Sequence, residues 1–119
     1  MKKYNKFIVE ASATRAKQLL NYYRDILINL GFSMDRVPNL PDNKGPLNPD
    51  EIASGQWNHF TITGSTPWNK RKFIELSARE DRRGNTEIYI GQPDSFRVPL
   101  SDDSDLIRYL ERTYRQFRS

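Results

Sequence analysis

Three consecutive segments, QWNHFTITG, KFIELSARE and NTEIYIGQ, carry apolar residues at every second position, and this constrains the chain more than anything else in it. Successive side chains of a strand point to opposite sides. Phe60 and Ile62 therefore share one face, as do Ile74, Leu76 and Ala78, and again Ile88 and Ile90. Strands that are apolar on one side only are buried together as an antiparallel sheet covered on that side. The connection EDRRGNT sets one register. A three-residue hairpin loop with Gly84 in the left-handed conformation pairs Ala78 with Ile88 and Leu76 with Ile90, so that all apolar sets stay on one face. A two-residue turn would send them to opposite faces.

Two amphipathic helices supply the cover. In residues 14–30, Ala16, Leu19, Leu20, Tyr23, Ile26, Leu27 and Leu30 recur at three- and four-residue steps. Ser12 or Thr14 suits the N-cap, and Gly31 suits the left-handed position that ends a helix. In residues 102–117, Leu106, Ile107, Leu110, Tyr114 and Phe117 form a second stripe, with Ser101 as cap and Asp102, Asp103 and Asp105 at the positive end. KFIVEAS (6–12) reads as a short strand. SFRVPL reads as a further strand with Phe96, Val98 and Leu100 inward, and Pro99, which lacks an N–H, puts it at an edge. Residues 32–56 hold four of the seven prolines and form a long loop, in which NPDEIAS has the signals of a short helix start. The fold class is α+β: an antiparallel sheet of about four to five strands with two helices, in one domain spanning 1–119.

Composition narrows the chemistry. With 119 residues the chain has room for one modest core, and its 14 aromatic residues fill it despite a hydrophobic fraction of 36%. The absence of cysteine excludes disulfides, thiol nucleophiles and thiolate metal sites, and the single histidine, His59, excludes two-histidine zinc sites. No metal and no cofactor is expected. There is no secretory leader and no apolar run of membrane-spanning length, so a cytoplasmic protein without membrane contact is expected. A net charge of +4 mildly favours polyanionic partners.

The polar side of the sheet is where function is sought. Pairing Ile62 with Ile74 places Trp57 opposite Arg79, His59 opposite Ser77 and Thr61 opposite Glu75; the hairpin then sets Arg79 beside Glu87 and Ser77 beside Tyr89. With both helices on the apolar face, this second face is open and carries Trp57, His59, Phe73, Arg79 and Tyr89. With one helix on each face, Trp57 and Phe73 are core instead. At the end of the sheet, GSTPWNKRKF sets Trp68 beside Lys70, Arg71 and Lys72 in a strand connection. Aromatic rings fringed by cations on a sheet face stack single-stranded bases and hold phosphates. Trp57, His59, Trp68, Lys70, Arg71, Lys72, Arg79 and Tyr89 are accordingly the candidate binding residues for single-stranded or structured nucleic acid. Trp and Arg are also the residues that dominate protein interfaces, so an inhibitor or adaptor with a Trp68–Arg71 hot spot is the alternative. An uncovered face also suits a homodimer. A third reading is a metal-independent ribonuclease using His59, Glu75 or Glu87, and Arg79 as acid, base and cation. No catalytic motif accompanies these residues, and there is no nucleophile elbow, P-loop or dinucleotide fingerprint.

Overall fold

The computed structural model describes the backbone of residues 2–40, 56–81 and 83–118, and within these the side chains of 15–40, 58–81 and 83–117. Helix α1 spans Lys2–Asn29; strands β1 (Ser33–Met34), β2 (Gln56–Ser65), β3 (Phe73–Asp81), β4 (Thr86–Gly91) and β5 (Arg97–Pro99) follow; helix α2 (Asp103–Thr113) and a single 3₁₀ turn (Arg115–Arg118) close the chain. The sheet is a five-stranded antiparallel meander in the order β1-β2-β3-β4-β5. The α+β class is as expected. The short helix start read in NPDEIAS and three of the four loop prolines lie outside the described residues.

Helix α1 absorbs the strand expected over 6–12. Three consecutive apolar residues, Phe7 to Val9, fit a strand or a helix equally well. No glycine or proline interrupts Lys2–Asn29, so the helix extends at one hydrogen bond per residue once nucleated. At its far end the expected stop is present. Gly31 sits at φ 98°, and the Phe32 and Gly31 N–H groups donate to the Leu27 and Ile28 carbonyls, both at 2.9 Å. These two bonds form a Schellman cap. Ala16, Leu20, Tyr23 and Leu27 are buried, whereas Leu30, expected on the same stripe, is exposed because it lies in that cap.

Helix α2 is shorter than the expected 102–117. Its N-cap is Asp102 rather than Ser101: the Asp102 carboxylate accepts from the Asp105 N–H at 3.0 Å, and Asp105 in turn accepts from the Ser101 N–H at 2.8 Å. This is a reciprocal capping arrangement built from two aspartates. The helix stops because Tyr114 turns extended (φ −120°, ψ 114°). That turn sends its ring into the core, where it is 2% exposed and its hydroxyl donates to the Phe73 carbonyl at 3.3 Å.

Between β3 and β4 the expected register is found: Ala78 faces Ile88, Leu76 faces Ile90, Ser77 faces Tyr89 and Arg79 faces Glu87. The Asp81 N–H donates to the Asn85 carbonyl at 3.0 Å, so three residues separate the two ends of the hairpin, with Gly84 at φ 85°. Between β2 and β3 the register differs from expectation by two. Ile62 faces Leu76, and Gly64 faces Ile74. The cause is the turn at 66–72. The Thr66 hydroxyl donates to the Asn69 carbonyl (2.7 Å) and accepts from the Asn69 N–H (3.2 Å), and the Thr66 N–H closes the turn on the Lys72 carbonyl (2.9 Å). Pro67 has no N–H to extend the ladder, so regular pairing stops at Ser65–Phe73. β1 was not anticipated inside the Pro-rich segment; it pairs with Gly64 and Ser65 at the far end of β2. β5 is at the edge, as Pro99 implies, but of its expected inward set only Leu100 is buried. Phe96 is 94% exposed because it precedes the ladder, after the turn Gln92–Ser95, and Val98 has a neighbour on one side only.

Both helices lie on the same face. Leu20 and Leu27 of α1, Leu106 and Leu110 of α2, and Phe60, Ile62, Ile74, Leu76, Ile88 and Ile90 of the sheet belong to one buried cluster. At the 80/86 end of this inner face sits a polar exception. Glu80 is 1% exposed and flanked by Asn58 and Thr86 on the neighbouring strands. Its Oε1 accepts from the Thr86 hydroxyl at 3.0 Å, while Oε2 is buried without a hydrogen-bond partner. Burial pushes its carboxyl above the usual range, against the opposing pull of Thr86 and Arg15.

Candidate functional site

With the apolar set inward, the opposite face of β2–β4 is built from His59, Thr61, Thr63, Phe73, Glu75, Ser77, Arg79, Glu87 and Tyr89. The two-residue shift in β2 rewrites its rows. His59, not Trp57, is opposite Arg79, Thr61 is opposite Ser77, and Thr63 is opposite Glu75. One row thus reads His59–Arg79–Glu87, the next Thr61–Ser77–Tyr89, and the third Thr63–Glu75–Gly91–Arg97. Trp57 falls at the irregularity between Gln56 and Asn58, and its side chain lies outside the described residues. Phe73 is 49% exposed, so the reading that makes it core does not hold.

Two members of the first row, Arg79 and Glu87, are knit together with Tyr89 of the second. Arg79 Nη2 donates to Glu87 Oε2 and to the Tyr89 hydroxyl, both at 3.2 Å, and the Tyr89 hydroxyl donates to the same Glu87 oxygen. The guanidinium also stands over the Tyr89 ring, 5.3 Å from its centre, a placement in which the ring's negative face attracts the cation. The Tyr89 hydroxyl and the Arg79 guanidinium hold the Glu87 carboxyl below the usual range, so it is a carboxylate at neutral pH. Burial, with the neighbouring Glu87, pushes the Tyr89 phenol up, so it stays a donor. In the third row, Arg97 meets Glu75 at 3.3 Å across Gly91. A Cβ on Gly91 would come within 2.8 Å of the Phe96 carbonyl, so the bare backbone there lets β5 approach. Each glutamate of this face is therefore matched by an arginine, and neither stands as a bare negative charge.

The second group lies at the end of the sheet. Trp68 is folded back rather than displayed. Its ring meets Phe32 and Tyr114 edge-on, at 5.7 and 5.4 Å between centres, and Nε1 is buried without a hydrogen-bond partner. Lys70, Arg71 and Lys72 are exposed and form no ion pair with any described residue. Their backbone is held by the Thr66 hub and by Asn69, whose side-chain oxygen accepts from the Arg71 N–H at 2.9 Å. The stretch is thus anchored through its tryptophan and open through its cations. Phe73 follows directly and stands on the polar face.

The structure brings His59, Arg79 and Tyr89 together and adds Glu87 to them. It brings Trp68, Lys70, Arg71 and Lys72 together separately, about 20 Å away along the six residue steps of β3 from Phe73 to Arg79. The Arg97–Glu75 pair across Gly91 was not anticipated, because it depends on a three-residue edge strand whose register no turn signal sets. Among the described residues no group of three or more His, Asp or Glu could hold a metal ion, and no helix is long and apolar enough to cross a membrane. No family model matches the chain, and neither a curated protein nor a solved structure matches it.

Proposed function

We propose that this protein binds single-stranded nucleic acid, with the 66–72 turn gripping phosphates and the polar sheet face receiving the strand beyond it. The observation that carries this reading is the turn itself. Three exposed cations sit on a backbone already fixed by Thr66 and Asn69, immediately before a half-exposed Phe73. Ordering done in advance is ordering that binding need not supply. A ring at that position offers a stacking surface to a base whose phosphate the lysines hold, worth about 1–3 kcal/mol per base. The pairing of Glu75 with Arg97 and of Glu87 with Arg79 removes the repulsion these glutamates would exert on a phosphate strand.

The test is fluorescence anisotropy of labelled single-stranded RNA and DNA over a range of salt. Affinity falls with salt, and the triple variant Lys70→Ala/Arg71→Ala/Lys72→Ala flattens the log–log slope by about 2, from ~0.7 per released counterion. Absence of binding at low salt, or an unchanged slope in the triple variant, refutes the reading. One observation favours a second reading, a protein partner: Phe96, just before β5, is 94% exposed, and Val98 within β5 is 40% exposed. Phe96→Asp abolishes such an association and leaves nucleic-acid binding unchanged.

A further inference from the structure

We propose that the row His59–Arg79–Glu87 is a catalytic site that cleaves RNA by attack of a ribose 2′-hydroxyl on its own 3′-phosphodiester. This rests on the binding reading above, since the strand held by the basic turn is the substrate. Three adjacent antiparallel strands place the three residues in register across the sheet. Strands lie about 4.8 Å apart, so the backbones of His59 and Glu87 stand about 10 Å from each other with Arg79 midway. A phosphate seated over Arg79 then has a carboxylate on one side and an imidazole on the other, the placement that in-line displacement at phosphorus requires. Beside it the next row is Thr61–Ser77–Tyr89, in which Thr61 and Ser77 are small and the Tyr89 hydroxyl is bonded to Arg79 and Glu87. From Phe73 to Arg79 the polar face runs about 20 Å, the length of about six stacked nucleotides at ~3.4 Å each.

The step balances without an added reagent. The 2′-oxygen forms a bond to phosphorus as its proton passes to the Glu87 carboxylate. The bond from phosphorus to the 5′-oxygen breaks as that oxygen takes a proton from the His59 imidazolium. Arg79 compensates the charge that builds on the non-bridging oxygens. The products are a 2′,3′-cyclic phosphate and a 5′-hydroxyl, and exchange with water restores both side chains. Tyr89 is a positioning residue: its hydroxyl bonds to both Arg79 and Glu87 and fixes their separation. Tyr89 and Arg79 keep Glu87 ionised. A phosphate that draws Arg79 away raises the proton affinity of that carboxylate, which is the change a general base needs.

The experiment incubates a labelled single-stranded RNA oligonucleotide, and a DNA of the same sequence, with the full chain in EDTA. In parallel, anisotropy with the uncleavable DNA measures binding. The expected result is cleavage of RNA alone, with cyclic-phosphate ends. His59→Gln and Glu87→Gln, each checked for native circular dichroism, lower kcat about 100-fold or more while both variants still bind DNA. Intact RNA alongside normal DNA binding overturns the catalytic proposal and leaves the binding reading standing; failure of both removes both. Cleavage that persists at the wild-type rate in both variants also overturns it, since the activity then belongs to other groups or to a contaminant.

Discussion

Replacing Glu80 by glutamine is expected to stabilise this protein at neutral pH and to do nothing at acid pH. Glu80 is 1% exposed, and one of its oxygens is bonded to Thr86 while the other, Oε2, is buried without a partner. A buried polar atom left unsatisfied costs about 1–3 kcal/mol, and more when it carries charge. Glutamine keeps an acceptor for Thr86 and removes the charge, while its NH2 takes the unpartnered place of Oε2, so the gain is the share of the penalty that comes from the charge. It gives up the attraction of Arg15, whose side chain is exposed and whose contribution is below about 1 kcal/mol. The net gain is about 1 kcal/mol, or about 4 °C in Tm for a domain of this size. The sign with pH follows from the direction of the shift. Burial raises the carboxyl's pKa in the folded state above its unfolded value. The folded state therefore holds the proton longer, and the penalty is absent below the ordinary glutamate value of about 4.3. It grows as pH rises through the raised folded value and is complete above it. Thermal melts by circular dichroism at several pH values between about 4 and 8 measure the difference in Tm between variant and wild type. A variant that melts lower at pH 7, or a difference as large at pH 4 as at pH 7, refutes the reasoning.

Two further substitutions probe the frame around the site. Gly64→Ala places a Cβ 2.2 Å from Met34 Sδ and 2.3 Å from the Ser33 carbonyl, so β1 must shift away; a loss of about 1–3 kcal/mol in urea denaturation is expected. Trp68→Phe keeps a ring against Phe32 and Tyr114 and removes the unpartnered N–H, so it costs less than about 1.5 kcal/mol, whereas Trp68→Ala costs about 2–4 kcal/mol by the same denaturation assay.

The sheet faces were legible in the sequence because alternation is a property of each strand alone. Phe60, Ile62, Leu76, Ala78, Ile88 and Ile90 are buried together whatever the partner strand does. Register is a property of pairs and was legible only where a turn declared itself. Gly84 fixes a three-residue loop and with it the Arg79–Glu87 and Ser77–Tyr89 pairs. A slip of two residues preserves every face, so nothing in the period of β2 distinguishes His59 from Trp57 as the neighbour of Arg79. That choice is made by the Thr66 hydroxyl and by the missing N–H of Pro67, and it assembles the candidate site. The remaining departures have the same character. The fate of Phe7–Val9 depended on a helix continuing through it, and that of Phe96 on where a ladder begins.

Both borders of the sheet are truncated. β1 contributes two residues, and β5 three, one of them a proline. A sheet recruits additional chains by offering a row of unused amide donors and carbonyl acceptors. β1 meets β2 only at Ser65 and Gly64, and the Asp35 N–H adds one bond to the Thr63 carbonyl, so among the described residues 56–62 of β2 have a strand partner on the β3 side alone. The margin that an added extended chain would meet is therefore this stretch of β2, whose neighbour is too brief to cover it, rather than either terminal strand.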